Sequence, residues 1–490
     1  MVEEKQLSDI PVFSETEQKL LARVDEHKDE LIDLLKKLIA IDSRVYDINA
    51  FVDQTPIIQF VSTYLQNNGF DTQIFSCPHQ NQPSNTKQMW PNLIASYDTN
   101  QPGKSIQFLG HLDVVPFSTE LWDKDLDPMQ GLIKKNKLYG RGSNDMKGGC
   151  AGLIMAAKLL KEMNLLQSGK VQLWFTPDEE LDGPYGARFM VKNHLDTVNT
   201  NATIIAEPTG QSPIKNPVII LGEKGMNWFR LHFHGASGHG SMPKKKGNAI
   251  NKVSRFMNNM QKCKIPNVKP PFSKMDLIKA ILSRFRIRDI PLLLQSDDGE
   301  EKNPYEEDAV NLGAFFNTTY SFNQIHGGKK VNIVPDSCDL EIDIRLLPGI
   351  KIQQIFDALA NYATKLGYRI EIPPEYPNIQ HHNKKMQKRP VDIELKIITE
   401  APGNLTDPSQ PFVQLMSKTF EEIYRVKRVF FCAPGSSDAT HLRRNGIQNV
   451  VLFGPSGGNA HGSNEFVEID QVIKCCKVYL LTAYRYLMEK

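Results

Sequence analysis

The chain lacks any uninterrupted apolar run approaching the roughly 18–20 residues needed to cross a bilayer as a helix. It lacks an excess of either charge as well: 58 Lys and Arg stand against 56 Asp and Glu, a formal net charge of +2. That balance gives no electrostatic case for nucleic acid or an acidic surface as partner. Cysteine is sparse, with seven scattered residues in 490. An odd, dispersed set suits thiols in a reducing compartment better than a disulfide framework. Cys475 and Cys476 read as buried thiols of the last helix, since nothing nearby offers further soft ligands. The opening residues, MVEEKQLSDIPVF, have neither the basic flank nor the apolar core of a secretory signal. These absences together predict a cytoplasmic protein. No GxSxG elbow stands on a strand-to-helix turn, which disfavours a serine hydrolase.

What is present is an ordinary globular composition, 40% hydrophobic and 23% charged, in a chain long enough for two or three domains. Residues 20–41 carry Leu, Val and Ile at helical spacing, and a second helix, 55–68, stops at Gly69. Strand signals at 71–75, 93–97, 106–110, 171–175 and 203–206 then alternate with helices at 146–160 and 185–192. The alternation predicts an α/β fold with a mostly parallel, doubly wound sheet.

After about Asn216 the pattern changes. Strands are expected at 227–234, 318–325, 338–344 and 391–398, with helices at 248–261 and 352–366, which is a small α+β unit with an antiparallel sheet. A helix at 411–423, a strand at 450–453 and a last helix at 471–488 resume the first pattern. The expected architecture is a catalytic domain, 1–215 and 405–490, interrupted by an inserted lid, 216–404. Within the lid, residues 264–311 form an extra segment with a short amphipathic stretch, 275–285, and an acidic run, 296–308. It reads as an insertion packing on the lid with an acidic loop, rather than as a membrane contact.

Four apolar runs end in metal-seeking side chains. They lead into His111 and Asp113, into Asp178-Glu179-Glu180, into Glu207, and towards His461. Buried strands of an open α/β sheet direct their carboxyl ends into one crevice, so these side chains should converge. His111-x-Asp113 places both groups on one side of an extended segment, letting one bind metal while the other orients a ligand. Asp145, in GRGSNDMKGG, stands at a helix start. Alone it would read as an N-cap, but beside His111 it is placed to bridge two cations. Two adjacent acids after VQLWF and Pro177 are costly without positive charge between them. One of the pair can coordinate while its neighbour faces substrate as a base. Imidazole and carboxylate together suit Zn²⁺, with Co²⁺ or Mn²⁺ as substitutes, over Mg²⁺ or Ca²⁺. Two such ions sharing a carboxylate would lie roughly 3.5–4 Å apart.

GHLDVVP, GRGSNDMKGG, the paired Glu, AEPTG and AHGSNEF occur in the order of the M20 metallohydrolases. The chain resembles that family over roughly residues 20–260 and 318–488. It is most similar to the acetylornithine deacetylase and succinyl-diaminopimelate desuccinylase group, with carboxypeptidases and aminoacylases as further relations. The resemblance implies a zinc-peptidase-like catalytic domain and a ferredoxin-like lid that pairs subunits into a homodimer. It implies two zinc ions per subunit, one on His111 and Glu207, the other on Glu180 and His461, with Asp145 bridging. Asp113 would orient His111, and Glu179 would be the general base. The peptide after Asp145 is expected to be cis. His239, in GASGHGSMP, would reach the partner's active site to stabilise an oxyanion. Asn332, Arg345 and the Ser436-Ser437-Asp438 turn match positions near substrate, and Arg345 would fork onto a carboxylate.

The implied reaction is hydrolysis of an amide in a small, carboxylate-bearing substrate, an N-acyl amino acid, through metal-activated water. A dipeptidase or carboxypeptidase of the same superfamily shares every ligand and differs only in its pocket. A non-enzymatic scaffold should have lost ligands or base, and none is missing. The segment 264–311 lies near the surface that would pair two lids, which bears on the oligomeric state and on His239.

Overall fold

The apolar runs pair with one another, and their order in space explains where the acidic and imidazole side chains meet. The computed structural model describes residues 13–47, 49–80, 87–211, 216–243, 247–268, 316–376 and 388–489. The expected stretches 275–285 and 296–308, and most of 264–311, lie outside the described residues.

The large sheet runs in the order Asp71–Pro78, Met89–Asp98, Lys170–Thr176, Ser105–His111, Ala202–Ile205, Val450–Leu452, Ile219–Glu223, Asn404–Leu405. Phe430–Ala433 also pairs with Ile219–Glu223. Its centre is parallel: Ser105–His111 pairs with both Lys170–Thr176 and Ala202–Ile205, which in turn pairs with Val450–Leu452. The flanking ladders that begin at Asp71–Pro78 and Met89–Asp98 are antiparallel, so the sheet is mixed. Ile219–Glu223 still belongs to this sheet, and the chain leaves it at Lys224 rather than near Asn216.

Helices Gly148–Glu162 and Ile469–Met488 pack together in the core of this unit. The first is apolar nearly all round, as a helix enclosed on every side must be, and it is buried along almost its whole length. Its start is pressed onto the sheet: a Cβ at Gly149 would sit 2.2 Å from the Ala206 carbonyl. The N-terminal periodicity resolves into two helices, Glu15–Glu26 and Lys28–Ala40, that meet at His27. The apolar spacing runs on across that junction, with no Gly or Pro to mark it.

The smaller sheet runs Thr319–Gly327, Ser337–Leu346, Gly225–His234, Ile393–Ala401, Ile370–Glu371, with all pairs antiparallel except the last. Helices Ala249–Met257 and Ile352–Lys365 bury their apolar faces with one side of it, in a core separate from that of the large sheet. Strand Gly225–His234 alternates in burial along its length, so one face looks outward.

A third, small sheet links distant parts of the chain: Leu132–Lys134, Lys137–Tyr139, Phe466–Glu468, Ser456–Gly458 and Gly210–Gln211. It sets Tyr139 opposite Phe466. The loop following Tyr139, which carries Asp145, therefore emerges beside the loop carrying His461. All seven cysteines are buried and unbonded to one another. Among the described residues no helix is long and apolar enough to cross a membrane.

Candidate metal centre

Strand Ser105–His111 ends at a buried imidazole. His111 Nδ1 lies 3.0 Å from the backbone carbonyl of Asp113, and its Nε2 lies 3.1 Å from Asp145 Oδ1 and 3.8 Å from Glu207 Oε1. On the other side of Asp145, His461 Nε2 is 3.3 Å from Asp145 Oδ2 and 3.1 Å from Glu180 Oε2. Two clusters of donor atoms result, one of His111, Asp145 and Glu207, the other of Asp145, Glu180 and His461. Each oxygen of Asp145 faces a different cluster.

The local backbone explains these placements. Gly142, at φ 80, opens an irregular turn over Ser143–Lys147, and Asp145 has a non-helical φ of −116 and ψ of 98. Asp145 therefore aims into the crevice instead of capping the helix, and the Asp145–Met146 peptide is cis. Glu179 and Glu180 form a short 3-10 turn, Glu179–Leu181, directly after Pro177 and Asp178. His461 is held in the left-handed region at φ 64.

Asp113 makes contacts in two directions. Its carboxylate is 3.5 Å from His111 Nδ1, and its good hydrogen bonds come from elsewhere. Glu179 N–H donates to Oδ1 at 3.2 Å and Glu180 N–H to Oδ2 at 3.1 Å. The Asp113 main-chain carbonyl and, at longer range, its carboxylate face the imidazole, while the carboxylate also anchors the paired-Glu turn. Adjacent backbone N–H groups satisfy a buried carboxylate beyond what one longer contact does.

Charge within the crevice is poorly compensated. Burial pushes the Glu179 and Glu207 carboxyls well above their ordinary range. Neighbouring negative charge adds to this, Glu207 acting on Glu179 and Asp145 on Glu207. Glu180 is raised by burial, against the pull of His461. Burial also opposes ionisation of Asp145, but hydrogen bonds from His111 and His461 hold it well below its usual value. Hydrogen bonds to Asp145 and Glu180 raise His461 to about 10. His111 rises well above its ordinary value although burial works against it, because Asp113 and Asp145 face it. The acids thus draw protons onto both imidazoles. Glu180 Oε1 and Glu207 Oε1 are buried without a hydrogen-bond partner. Mixed imidazole and carboxylate donors with orphaned oxygens fit divalent cations of the zinc type.

The crevice opens into a cavity of about 870 Å³. Glu179, Arg345 and Ser437 line it together with Asp145, Glu180, Glu207 and His461. Arg345 Nε donates to the Asp343 carboxylate at 2.9 Å. Ser437 Oγ donates to Glu223 Oε1 at 2.5 Å and accepts from Ala439 N–H, so its hydroxyl is engaged within the wall. His239 and Asn332 lie apart from this cavity. His239 is exposed, 2.7 Å from Ser241 Oγ, in a two-stranded pairing of Gly238–His239 with Ile333–Val334. The Asn332 carbonyl accepts from Gly240 N–H.

Sequence reasoning passed over Glu465, whose buried carboxylate accepts backbone N–H bonds from Gly142, Asn144 and Asp145 and a bond from Arg141. Asp178, named above with the metal-seeking side chains, belongs to neither donor cluster; it takes the Tyr185 N–H at 2.6 Å and closes the loop behind the paired Glu. Both stand inside motifs already noted, NEF and DEE, but neither motif shows which groups fold back onto them.

The sequence model of peptidase family M20/M25/M40 matches residues 108–485. A probable succinyl-diaminopimelate desuccinylase of Staphylococcus aureus is 30% identical over 411 residues, covering 81% of this chain and 87% of that protein. The fold is similar to an M20 family metallo-carboxypeptidase from Sulfolobus solfataricus, with a TM-score of 0.65 at 16% identity over 94% of this chain and 99% of that one. Human carnosine dipeptidase 1 gives a TM-score of 0.63 at 16% identity, over 98% of this chain and 100% of that one. At such identities the two structures bear on fold alone. With most of its length matched, the chain belongs to peptidase family M20/M25/M40, metal-dependent hydrolases of amide and peptide bonds.

Proposed function

We propose that the protein is a di-zinc amidohydrolase that removes the acyl group from a small N-acyl amino acid. The observation that carries this reading is the shared carboxylate: Asp145 turns one oxygen to His111 and the other to His461, with Glu207 and Glu180 completing the two clusters. In this reading His111, Asp145 and Glu207 hold one cation and Asp145, Glu180 and His461 the other, with Co²⁺ or Mn²⁺ able to replace zinc. Two such ions would supply Lewis acidity for the scissile carbonyl and lower the pKa of an attacking water.

The side chains would do the rest. Glu179, raised by burial and lining the cavity, takes a proton from water as its oxygen adds to the carbonyl carbon. It then passes that proton to the nitrogen as the C–N bond breaks, leaving an acid and a free amine. Arg345 holds the substrate carboxylate, and Ser437 shapes the wall through Glu223. His239 does not line its own chain's cavity, as a group serving a partner's site would not. We propose that it and Asn332 act there in a homodimer formed through the smaller sheet and its helices, with the oxyanion as His239's target.

A dipeptidase would use the same ligands, so substrate choice has to be measured. The deciding experiment is a hydrolysis panel on the zinc-loaded protein with N-acetyl, N-succinyl and N-formyl amino acids beside dipeptides. Glu179→Gln run in parallel should keep its metal and lose about 10²–10⁴-fold in kcat. Near-normal turnover of that variant would remove the assigned base. A fully active strict monomer in light scattering would remove the role of His239 across subunits.

A further inference from the structure

The wall facing the candidate metal ligands comes from the smaller sheet, and its chemistry changes along a single strand. On the open face of Gly225–His234 stand Met226, Trp228, Arg230, His232 and His234. The last three are each matched by a carboxylate: Arg230 with Glu341, His232 with Asp339, His234 with Glu394. The first two have no such partner, and both line the cavity. Trp228 is 39% exposed, and among the described residues its indole makes no ring contact or hydrogen bond. The face is charged where it meets solvent and apolar only where it meets the cavity.

A backbone irregularity enlarges the apolar patch. Trp228 pairs with Thr399 and Phe229 with Ile397, so the ladder skips Ile398. Such a bulge re-aims side chains beside functional sites. Here Ile398 lines the cavity, 44% exposed, next to Trp228. A large exposed apolar surface enclosed in a cavity is a binding surface, since leaving it wet has no structural gain.

Beside this patch stands one guanidinium with unused donors. Arg345 lies directly across the ladder from Met226. Asp343 takes only its Nε, and among the described residues Nη1 and Nη2 have no partner. Two parallel N–H groups next to an apolar surface match a carboxylate with an apolar side chain on the adjacent carbon.

We infer, resting on the hydrolase reading above, that the amino acid released by this enzyme has an apolar side chain. Its carboxylate sits on Nη1 and Nη2 of Arg345, and its side chain lies against Met226, Trp228 and Ile398. Leucine, phenylalanine and methionine derivatives fit this wall. Ornithine and diaminopimelate would press a second charge onto Trp228 and Ile398, where the carboxylate across the ladder, Asp343, is already taken by Arg345 Nε.

The test uses the zinc-loaded full chain with N-acetyl-leucine, N-acetyl-phenylalanine, N-acetyl-ornithine and N-succinyl-diaminopimelate, plus glycyl-leucine and glycyl-lysine. The apolar member of each class should exceed the charged one by at least about tenfold in kcat/KM, the discrimination a hydrophobic pocket readily achieves. Trp228→Ser and, separately, Ile398→Ser should shrink that ratio towards one, mainly through KM. Efficient hydrolysis with the charged substrates preferred would overturn this inference and leave the hydrolase reading intact. An apolar preference that both variants keep would also overturn it. No hydrolysis of any member would remove the reading and the inference together.

Discussion

Arg141 and Glu465 form a buried ion pair, Nη1 to Oε2 at 2.5 Å, that fastens together the loops carrying the candidate metal ligands. Glu465 gathers the backbone of the loop ending in Asp145, while Arg141 Nη2 donates to the carbonyls of His461, Gly462 and Pro116. Three segments that carry candidate ligands are thus tied to one pair of charges.

Glu465→Gln should therefore weaken metal binding without touching a ligand. The carboxylate serves four donors. An amide offers one oxygen and would turn its own N–H₂ towards backbone N–H groups. Arg141 would be left buried beside a neutral partner, a change of the kind that costs about 3–5 kcal/mol. Zinc affinity should fall about 10–100-fold, as for other groups that support ligands from behind. Calorimetric zinc titration alongside thermal unfolding reads both effects. Unchanged zinc affinity with a lowered Tm would confine Glu465 to a structural role.

Asp113 offers a second separation of roles. Its carboxylate holds the Glu179 and Glu180 N–H groups, whereas its main-chain carbonyl faces His111. Asp113→Asn keeps the carbonyl and spoils the cradle, since one amide group cannot accept both N–H bonds as a carboxylate does. Turnover should drop about 10–100-fold with bound zinc unchanged, measured by kcat and elemental analysis on one preparation. Loss of zinc would mean that the side chain acts through the imidazole after all.

These two residues mark where reading the sequence stops. His111, Asp145, Glu180, Glu207 and His461 were legible because each follows an apolar run or a glycine-rich turn, and parallel strands send their ends to one place. The role of Glu465 depends on Phe466 pairing with Tyr139, a contact 327 residues apart that no local pattern announces. The position of Asp113 suggested a link to His111, but not that two backbone donors in another loop also bind its carboxylate. Alternation in 227–234 revealed an open face, yet nothing local says that Trp228 faces a cavity and His234 solvent. The break at His27 was invisible because the apolar spacing continues through it.

Lys224 carries a pH dependence of its own. It stands where the chain passes between the two sheets, buried, its Nζ donating to Thr319 Oγ1 at 3.2 Å. Burial lowers its pKa to about 8, with Arg345 adding to the effect and Cys432 and Asp343 opposing it. The unfolded chain holds its proton up to roughly 10.5, so folding is penalised wherever the amine is charged. That penalty is complete below about 8 and fades as pH rises towards the unfolded value. Lys224→Met should raise Tm at pH 7, with a gain that shrinks by pH 10. A lower Tm at pH 7 would show that the Thr319 bond outweighs the buried charge.

Removing metal should expose a different slope. With chelator present, His461 is free to take the proton that Asp145 and Glu180 favour, giving it a pKa of about 10. Against an unfolded value near 6.5, that pairing stabilises the metal-free fold fully at low pH and is lost as pH climbs through the folded value. A bound cation occupies the same nitrogen and removes the proton from the balance. Zinc at a hundredfold excess over its Kd adds about 2.7 kcal/mol of stability. Melting curves with zinc and with chelator should therefore diverge from pH 7 to pH 9.5, the chelated protein losing more. Coincident curves at both pH values would mean that neither His461 nor its carboxylate partners engage a cation.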